Sequence, residues 1–235
     1  MAKPDTRDHM VRALEAMSAQ MTAALPDHET ARQLRAEMNG LRLKAEALDN
    51  VNQRRSPLET PAAHAMKVAK RARAFDSEVT AALNRSSQLW AKAREAADRR
   101  IAEKVDLRPD AFASEIRSAF RTLSPQKQND LIKELVDSNR GPELAAIVKA
   151  PVVLTGITEA QRAVYEQSII ARHAAPEFEE MGLLDEVYEI TVAGTRAAGS
   201  FAKSLNDPAK LAAIESAAAS ADEADAAFNQ TLNGG

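Results

Sequence analysis

The longest regular pattern of apolar and polar positions covers residues 60–105, which contain no proline after Pro61 and no glycine. Apolar or small residues recur there at steps of mostly three and four, which predicts one amphipathic helix with a narrow seam. The seam comprises Ala65, Val68, Ala72, Phe75, Val79, Ala82, Ser86, Trp90, Ala93, Ala97, Ile101 and Val105. Thr60 is the predicted N-cap and Pro61 the first helical residue. At about 1.5 Å per residue the helix would be roughly 65–70 Å long.

Two shorter heptad patterns precede this helix. The first begins near Asp5 or Thr6, continues through Leu14 and Met21, and ends at Pro26. The second follows Asp27, the predicted N-cap, and residues 50–61 form a connector. The second seam comprises Ala31, Leu34, Met38, Leu41, Ala45 and Leu48.

A long, narrowly amphipathic helix is marginal alone in water, so it needs a partner. We therefore predict an antiparallel helical hairpin, in which the partner is the second helix, another subunit, or both. The predicted protein interface lies on the two seams. It comprises Leu34, Met38, Leu41, Phe75, Val79 and Trp90.

From Asp106 onward the predicted elements are short, and residues 106–176 are predicted to form a compact helical bundle. Helices are expected over residues 109–122, after Ser124-Pro125, after Gly141-Pro142, and from the capping box at Thr158 to about His173. The apolar run 152–154 is bounded by Pro151 and Gly156. With no partner strand in view, it is predicted to be a buried extended linker rather than a strand.

Residues 177–235 are predicted to form an acidic helical pair with a disordered tail at 233–235. The restart between the two helices is at Asp207-Pro208. The whole chain is thus predicted to be all-α and elongated, with a hairpin or coiled coil over 1–105, a compact bundle over 106–176, and C-terminal helices.

Composition narrows the chemistry. Aromatic residues make up only 4% of the 235 residues, and the 45% that are hydrophobic come largely from alanine, which favours long helices. The absence of cysteine excludes disulfides, thiolate catalysis and cysteine-based metal sites. No secretory signal and no membrane-spanning stretch is predicted.

Charge is distributed unevenly. Residues 1–105 hold 19 basic and 14 acidic side chains, whereas residues 177–235 hold 3 and 11. This asymmetry favours either head-to-tail association or contact with a polyanion at the basic end, with two solvated faces as the alternative. Six residues are possible nucleic-acid contacts: Arg54, Arg55, Lys67, Lys70, Arg71 and Arg73. Their other interpretation is the solvated flank of a coiled coil, because no aromatic platform for bases accompanies them.

No pattern predicts a catalytic residue, a cofactor or a metal. The four histidines have no metal-ligand spacing. The stretch 194–200 has the glycine spacing of a phosphate loop but lacks its lysine and a preceding strand, so small residues for close helix packing are the better interpretation. The acidic groups at 177–180 and 222–225 lack the spacing of a calcium loop.

One block of the chain resembles helical proteins of unassigned role encoded by tailed phages and prophages. It comprises residues 144–151 (LAAIVKAP), 154–158 (LTGIT) and 173–176 (HAAP), and the resemblance covers residues 106–205. It implies a virion or virion-assembly setting, in the host cytoplasm and/or the virion, and no catalytic residue.

Two functions are therefore expected to compete. The first is a non-enzymatic structural or assembly protein that binds itself and/or other protein subunits. The second is a nucleic-acid-associated helical protein that uses the basic face at residues 54–73. An enzyme with a site in 106–205 is a third possibility that no motif supports.

Overall fold

A computed structural model of the chain describes residues 12, 14–17, 19–21 and 27–233. Every regular element in that part of the chain is a helix, so the prediction of an all-α fold is confirmed. The helices are α1 (Glu29–Gln53), α2 (Pro61–Val105), α3 (Ala113–Thr122), α4 (Pro125–Asp137), α5 (Gly141–Val148), α6 (Val152–Thr155), α7 (Glu159–His173), α8 (Ala175–Leu205) and α9 (Pro208–Asn233). Within the same residues, no helix is long and apolar enough to cross a membrane.

Several helix boundaries follow from the predicted caps. The side chain of Thr60 accepts a hydrogen bond from the backbone N–H of Ala63 at 3.1 Å, and α2 then continues without interruption for 45 residues. Thr158 and Gln161 form the predicted capping box of α7. The Asp207 carboxylate accepts from the backbone N–H of Ala209 at 3.0 Å where α9 begins.

Three local predictions are wrong. The N-cap of α1 is His28 rather than Asp27. Helix α3 begins only at Ala113, because residues 110–112 form a turn in which the Asp110 carboxylate accepts from the N–H of Phe112 at 2.8 Å. Residues 152–154 are neither extended nor buried. They lie in α6, which ends where Gly156 adopts a left-handed φ of 75°.

The predicted first helix lies partly outside the described residues. Residues 12, 14–17 and 19–21 are helical, and both Leu14 and Met21 are buried. The predicted limits at Asp5, Thr6 and Pro26 fall outside the described residues. At the other end, Asn233 belongs to α9 rather than to an irregular tail, and residues 234–235 are not described.

The first of two compact units comprises Met1–Leu89 and Glu186–Gly235. Its core joins the seam of α1 to the seam in the first half of α2 and to the second half of α8. The core comprises Leu14, Met21, Ala31, Leu34, Met38, Leu41, Ala45, Leu48, Ala72, Phe75, Val79, Ala82, Val187, Ala198, Phe201 and Ala202.

Ion pairs fix the direction of α1 against α2. Arg85 donates two hydrogen bonds to Glu37, at 2.9 and 2.8 Å, and Lys44 pairs with Glu78 at 2.8 Å. As the position rises along α1 it falls along α2, so the two helices are antiparallel, and the predicted hairpin is confirmed within this unit.

The second unit comprises Trp90–Asp185, and its core gathers apolar side chains of α2, α3, α4, α5, α7 and α8. Gly141 is the first residue of α5 and lies against the end of α2. A glycine is required there, because a Cβ would overlap with the carbonyl oxygen of Val105. Helices α2 and α8 contribute residues to both units. The division into the regions 1–105, 106–176 and 177–235 remains a prediction.

Close approach between α8 and α1 depends on a glycine. A Cβ at Gly194 would overlap with Cε of Met38, which is buried, whereas a Cβ at Gly40 would meet no atom within 4 Å. Gly194 lies inside α8, so the stretch 194–200 is a helix and not a phosphate loop.

We predict that Gly194→Ala is less stable than Gly40→Ala by about 1–3 kcal/mol. Both variants gain similar helix propensity, so the difference in their free energies of unfolding isolates the clash with Met38. Urea denaturation followed by circular dichroism measures both. Equal stabilities would show that the Met38 side chain moves aside without cost and that the packing of α8 on α1 does not require a glycine.

Candidate interaction surfaces

Five of the six predicted interface residues lie in the core of the first unit. Leu34, Met38 and Leu41 are at most 2% exposed. Phe75 and Val79 are each 6% exposed. The seams of α1 and α2 therefore cover each other within one chain. Their contact with a second chain remains a prediction, and polar substitutions at these positions are expected to unfold the unit before they report on assembly.

Trp90, the sixth, is half-buried in the second unit. Its indole N–H donates to the carboxylate of Asp185 at 2.8 Å. The guanidinium of Arg94 lies 5.5 Å from the ring centroid and pairs with the same carboxylate at 2.6 Å. The Trp90 side chain is thus held by its own chain through a hydrogen bond and a cation–π contact.

Further ion pairs continue this contact along α2 and α8 in the second unit. Arg100 pairs with Glu180 at 2.6 Å and Lys104 with Glu177 at 2.7 Å. The Lys104 ammonium lowers the pKa of Glu177 below its usual value. These acids pair with cations of α2. Among the described residues, no cluster of His, Asp or Glu is placed to hold a metal ion.

We define the basic surface as the six predicted nucleic-acid contacts Arg54, Arg55, Lys67, Lys70, Arg71 and Arg73. All six side chains are exposed. Lys67 lies 3.4 Å from Glu59, and Arg73 donates to the neutral amide of Asn206 at 3.1 Å. The other four form no ion pair with a described residue, and residues 60–75 include no acid. The neighbouring side chains therefore neutralise little of the positive charge of the basic surface.

His64 lies at the inner edge of the basic surface. Its Nε2 is 3.0 Å from the carbonyl oxygen of Asn52, and its Nδ1 is 3.1 Å from the carboxylate of Glu59. These two contacts hold the ring between the end of α1 and the residue before Thr60. The hydrogen bond from His64 lowers the pKa of Glu59.

A groove between α1 and α2 adjoins the basic surface, and we call it the α1–α2 groove. It has a volume of about 540 Å³. Its apolar floor is made by Ala47, Leu48, Val51, Ala74 and Phe75. Its rim carries Lys44, Lys67, Arg71 and Glu78. A hydrogen bond from Lys44 lowers the pKa of Glu78 most, and a second hydrogen bond from Arg85 lowers it further. This carboxylate is therefore ionised at neutral pH.

Lys70 and Arg73 lie on a different flank of α2. With Met66, Lys67 and Ala69 they line a second depression that also includes Leu211 and Glu215 of α9. Within the basic surface, Lys67 lines both depressions and Arg71 only the groove. The basic surface thus spans two flanks of α2 rather than one stripe.

Helix α9 is exposed along most of its length. Leu211 is 7% exposed and Ile214 is half-buried, but every residue from 215 to 227 is exposed. That segment holds Glu215, Asp222, Glu223 and Asp225 and no basic residue. None of these four acids forms an ion pair with a described residue.

No family model, curated protein or solved structure matches the chain. The function of these surfaces is therefore inferred from their geometry and charge.

The sequence analysis missed the α1–α2 groove. Its signal is a second row of apolar residues beside the seams, at Ala47, Val51 and Ala74, which pure 3-and-4 spacing passes over. The start of α9 after Asp207 was predicted correctly, but the helix continues beyond residues 222–225, where the pattern of small residues fades, and the exposure of its acidic half was not predicted.

Proposed function

We propose that the chain is a non-enzymatic structural or assembly protein whose helices bind further protein subunits, copies of itself included. The observation that carries this proposal is the exposure of α9 over residues 215–227. In the described part of the chain, the side chains of this segment, Ala218 and Ala221 among them, stay exposed to solvent.

Physical chemistry makes an uncovered helix of this kind a candidate for a partner. Alanine gives the segment high intrinsic helix propensity, yet isolated helices of this length are only marginally stable in water. The exposed residues Ala218 and Ala221 continue the three-and-four spacing of a packing seam that begins with the buried Leu211 and the half-buried Ile214. A partner that covers this stripe would stabilise the helix and gain a narrow surface for close approach.

The second unit also leaves several apolar side chains exposed. Phe112 is 66% exposed, Val153 is 80% exposed and Val164 is 56% exposed. Val153 lies in α6, which packs on α3. Apolar surface left open in this way is typical of sites that contact other proteins when it is contiguous.

The setting we propose is the virion, or virion assembly in the host cytoplasm, of a tailed phage. Its support is the resemblance of residues 106–205 to helical phage and prophage proteins. The helical fold is compatible with that setting, and no catalytic residue enters the proposal.

We predict that the full chain self-associates as its concentration rises and that a chain ending at Asn206, which lacks α9, does so far more weakly. Sedimentation velocity over a range of protein concentrations measures both. Circular dichroism of the shortened chain controls for loss of the remaining helices. A full chain that stays monomeric at every concentration would overturn self-assembly as the function.

A second candidate function is polyanion binding by the basic surface. The observation that favours it is the acid-free span 60–75 together with five cations, Arg73 among them, that form no ion pair with a described residue. By contrast, Arg85, Arg94, Arg100 and Lys104 of the same helix each have a carboxylate partner. Cations that are left unneutralised on an exposed face are available to phosphate groups.

We predict that neutralising four cations of this surface to glutamine weakens binding to duplex DNA and flattens its salt dependence. The four are Arg54, Arg55, Lys70 and Arg73. Each lost phosphate contact reduces the slope of log K against log salt by about 0.9. Fluorescence anisotropy at several salt concentrations measures the slope.

The matched control neutralises four exposed cations elsewhere in the chain. They are Arg99, Arg121, Lys127 and Arg196. If both quadruple variants lose the same affinity and slope, only net charge matters, and the basic surface is not a binding site.

A further inference from the structure

The α1–α2 groove has the size and lining of a site for a helix. Along α2 it extends from Lys67 to Glu78, which is roughly 16 Å at 1.5 Å per residue. Leu48 and Phe75 form the deepest part of the floor and are 5% and 6% exposed. The rest of the floor is apolar and open to solvent. A helix with a narrow apolar face would therefore bury this floor without displacing any core residue.

The uncovered part of α9 matches this groove in length. From Glu215 to Asp225 it extends over roughly 15 Å. The exposed residues Ala218 and Ala221 continue the stripe of the half-buried Ile214, and their small side chains let a helix backbone approach a shallow floor closely. Helical spacing places Glu215 and Asp222 along one edge of that stripe and Asp225 within it.

The charges of the two surfaces are complementary. Three of the four charged rim residues are cations, whereas residues 215–227 contain four acids and no base. Arg71 forms no ion pair with a described residue, so binding a new carboxylate would not break an ion pair with any of them. We propose that the acidic half of α9 from one copy of the chain docks in the α1–α2 groove of a second copy.

The donor is a second copy because the helix cannot reach the groove of its own chain. The first turns of α9 lie on the other flank of α2, where Leu211 adjoins Met66 and Ala69. From there α9 continues as an uninterrupted helix to Asn233. Every copy thus offers one donor helix and one acceptor groove, and each contact joins two different patches.

This docking site rests on the proposed assembly function and adds the partner and the contact surfaces. A charge swap tests it. We expect Lys67→Glu with Arg71→Glu to weaken self-association roughly tenfold, and Asp222→Lys with Asp225→Lys to do the same, because each change leaves like charges facing each other. Mixing the two double variants in equal amounts should restore association, since each then supplies the charge that the other needs.

Sedimentation velocity on full-length chains is the readout. The matched control is Lys92→Glu with Arg99→Glu, which reverses two exposed charges on the same helix outside the groove and should leave association unchanged. Thermal unfolding of each variant confirms that the fold is retained.

The outcomes separate the docking site from the function. If removal of α9 abolishes association but neither charge reversal changes it, the docking site is wrong while assembly through α9 stands. If the mixed variants fail to associate, the pairing of these two surfaces is wrong. If reversal of Lys67 and Arg71 abolishes DNA binding and leaves association intact, the groove is a polyanion site and the inference is overturned.

Discussion

The burial of the α1 seam against the first half of α2 is the interaction on which the rest of the structure depends. It removes Leu34, Met38 and Leu41 from water together with Phe75 and Val79. A seam this rich in alanine buries little area per residue, so it needs closely packed helices to be stable. Gly194 allows α8 to approach closely enough to complete the same core.

Because that seam is used within one chain, contacts with other molecules are left to the remaining surface. Ion pairs such as Glu37–Arg85 lie beside the seam, fix its antiparallel direction, and use charges that would otherwise face a partner. What remains uncompensated is an open groove with a cationic rim, a set of exposed cations around it, and an acidic helix whose residues 215–227 are all exposed in the described part of the chain. The excess of basic residues in the first part of the sequence thus lies on the basic surface and the groove rim, and the excess of acidic residues in the last part lies on α9.

Local structure was predictable from the sequence wherever a cap or a strict spacing fixed it. Thr60-Pro61 and Thr158 to Gln161 placed helix starts, since both satisfy backbone groups that no other local conformation satisfies as well. The α1–α2 pairing followed from two matching seams. Where a pattern had two solutions the prediction failed, as at residues 152–154, where an apolar run between Pro151 and Gly156 suits a buried linker as well as one exposed helical turn.

The candidate surfaces were less predictable, for a different reason. A seam shows that a residue needs cover but not which molecule supplies it, so Phe75 and Val79 were expected at an interface and lie in the core. The groove arises only when two helices pack side by side, and no single stretch of sequence encodes it. The exposure of α9 likewise depends on what the remaining helices leave uncovered.

The seams of α1 and α2 pair within one chain, and copies of the chain assemble through α9. Amide hydrogen exchange at low and high protein concentration tests both statements. Exchange reports the opening of each helix separately. We expect the seam amides of α1 and α2 to be equally protected at both concentrations, and the amides of residues 215–227 to gain protection only at the higher one. Seam amides that lose protection on dilution, with no change in residues 215–227, would contradict it.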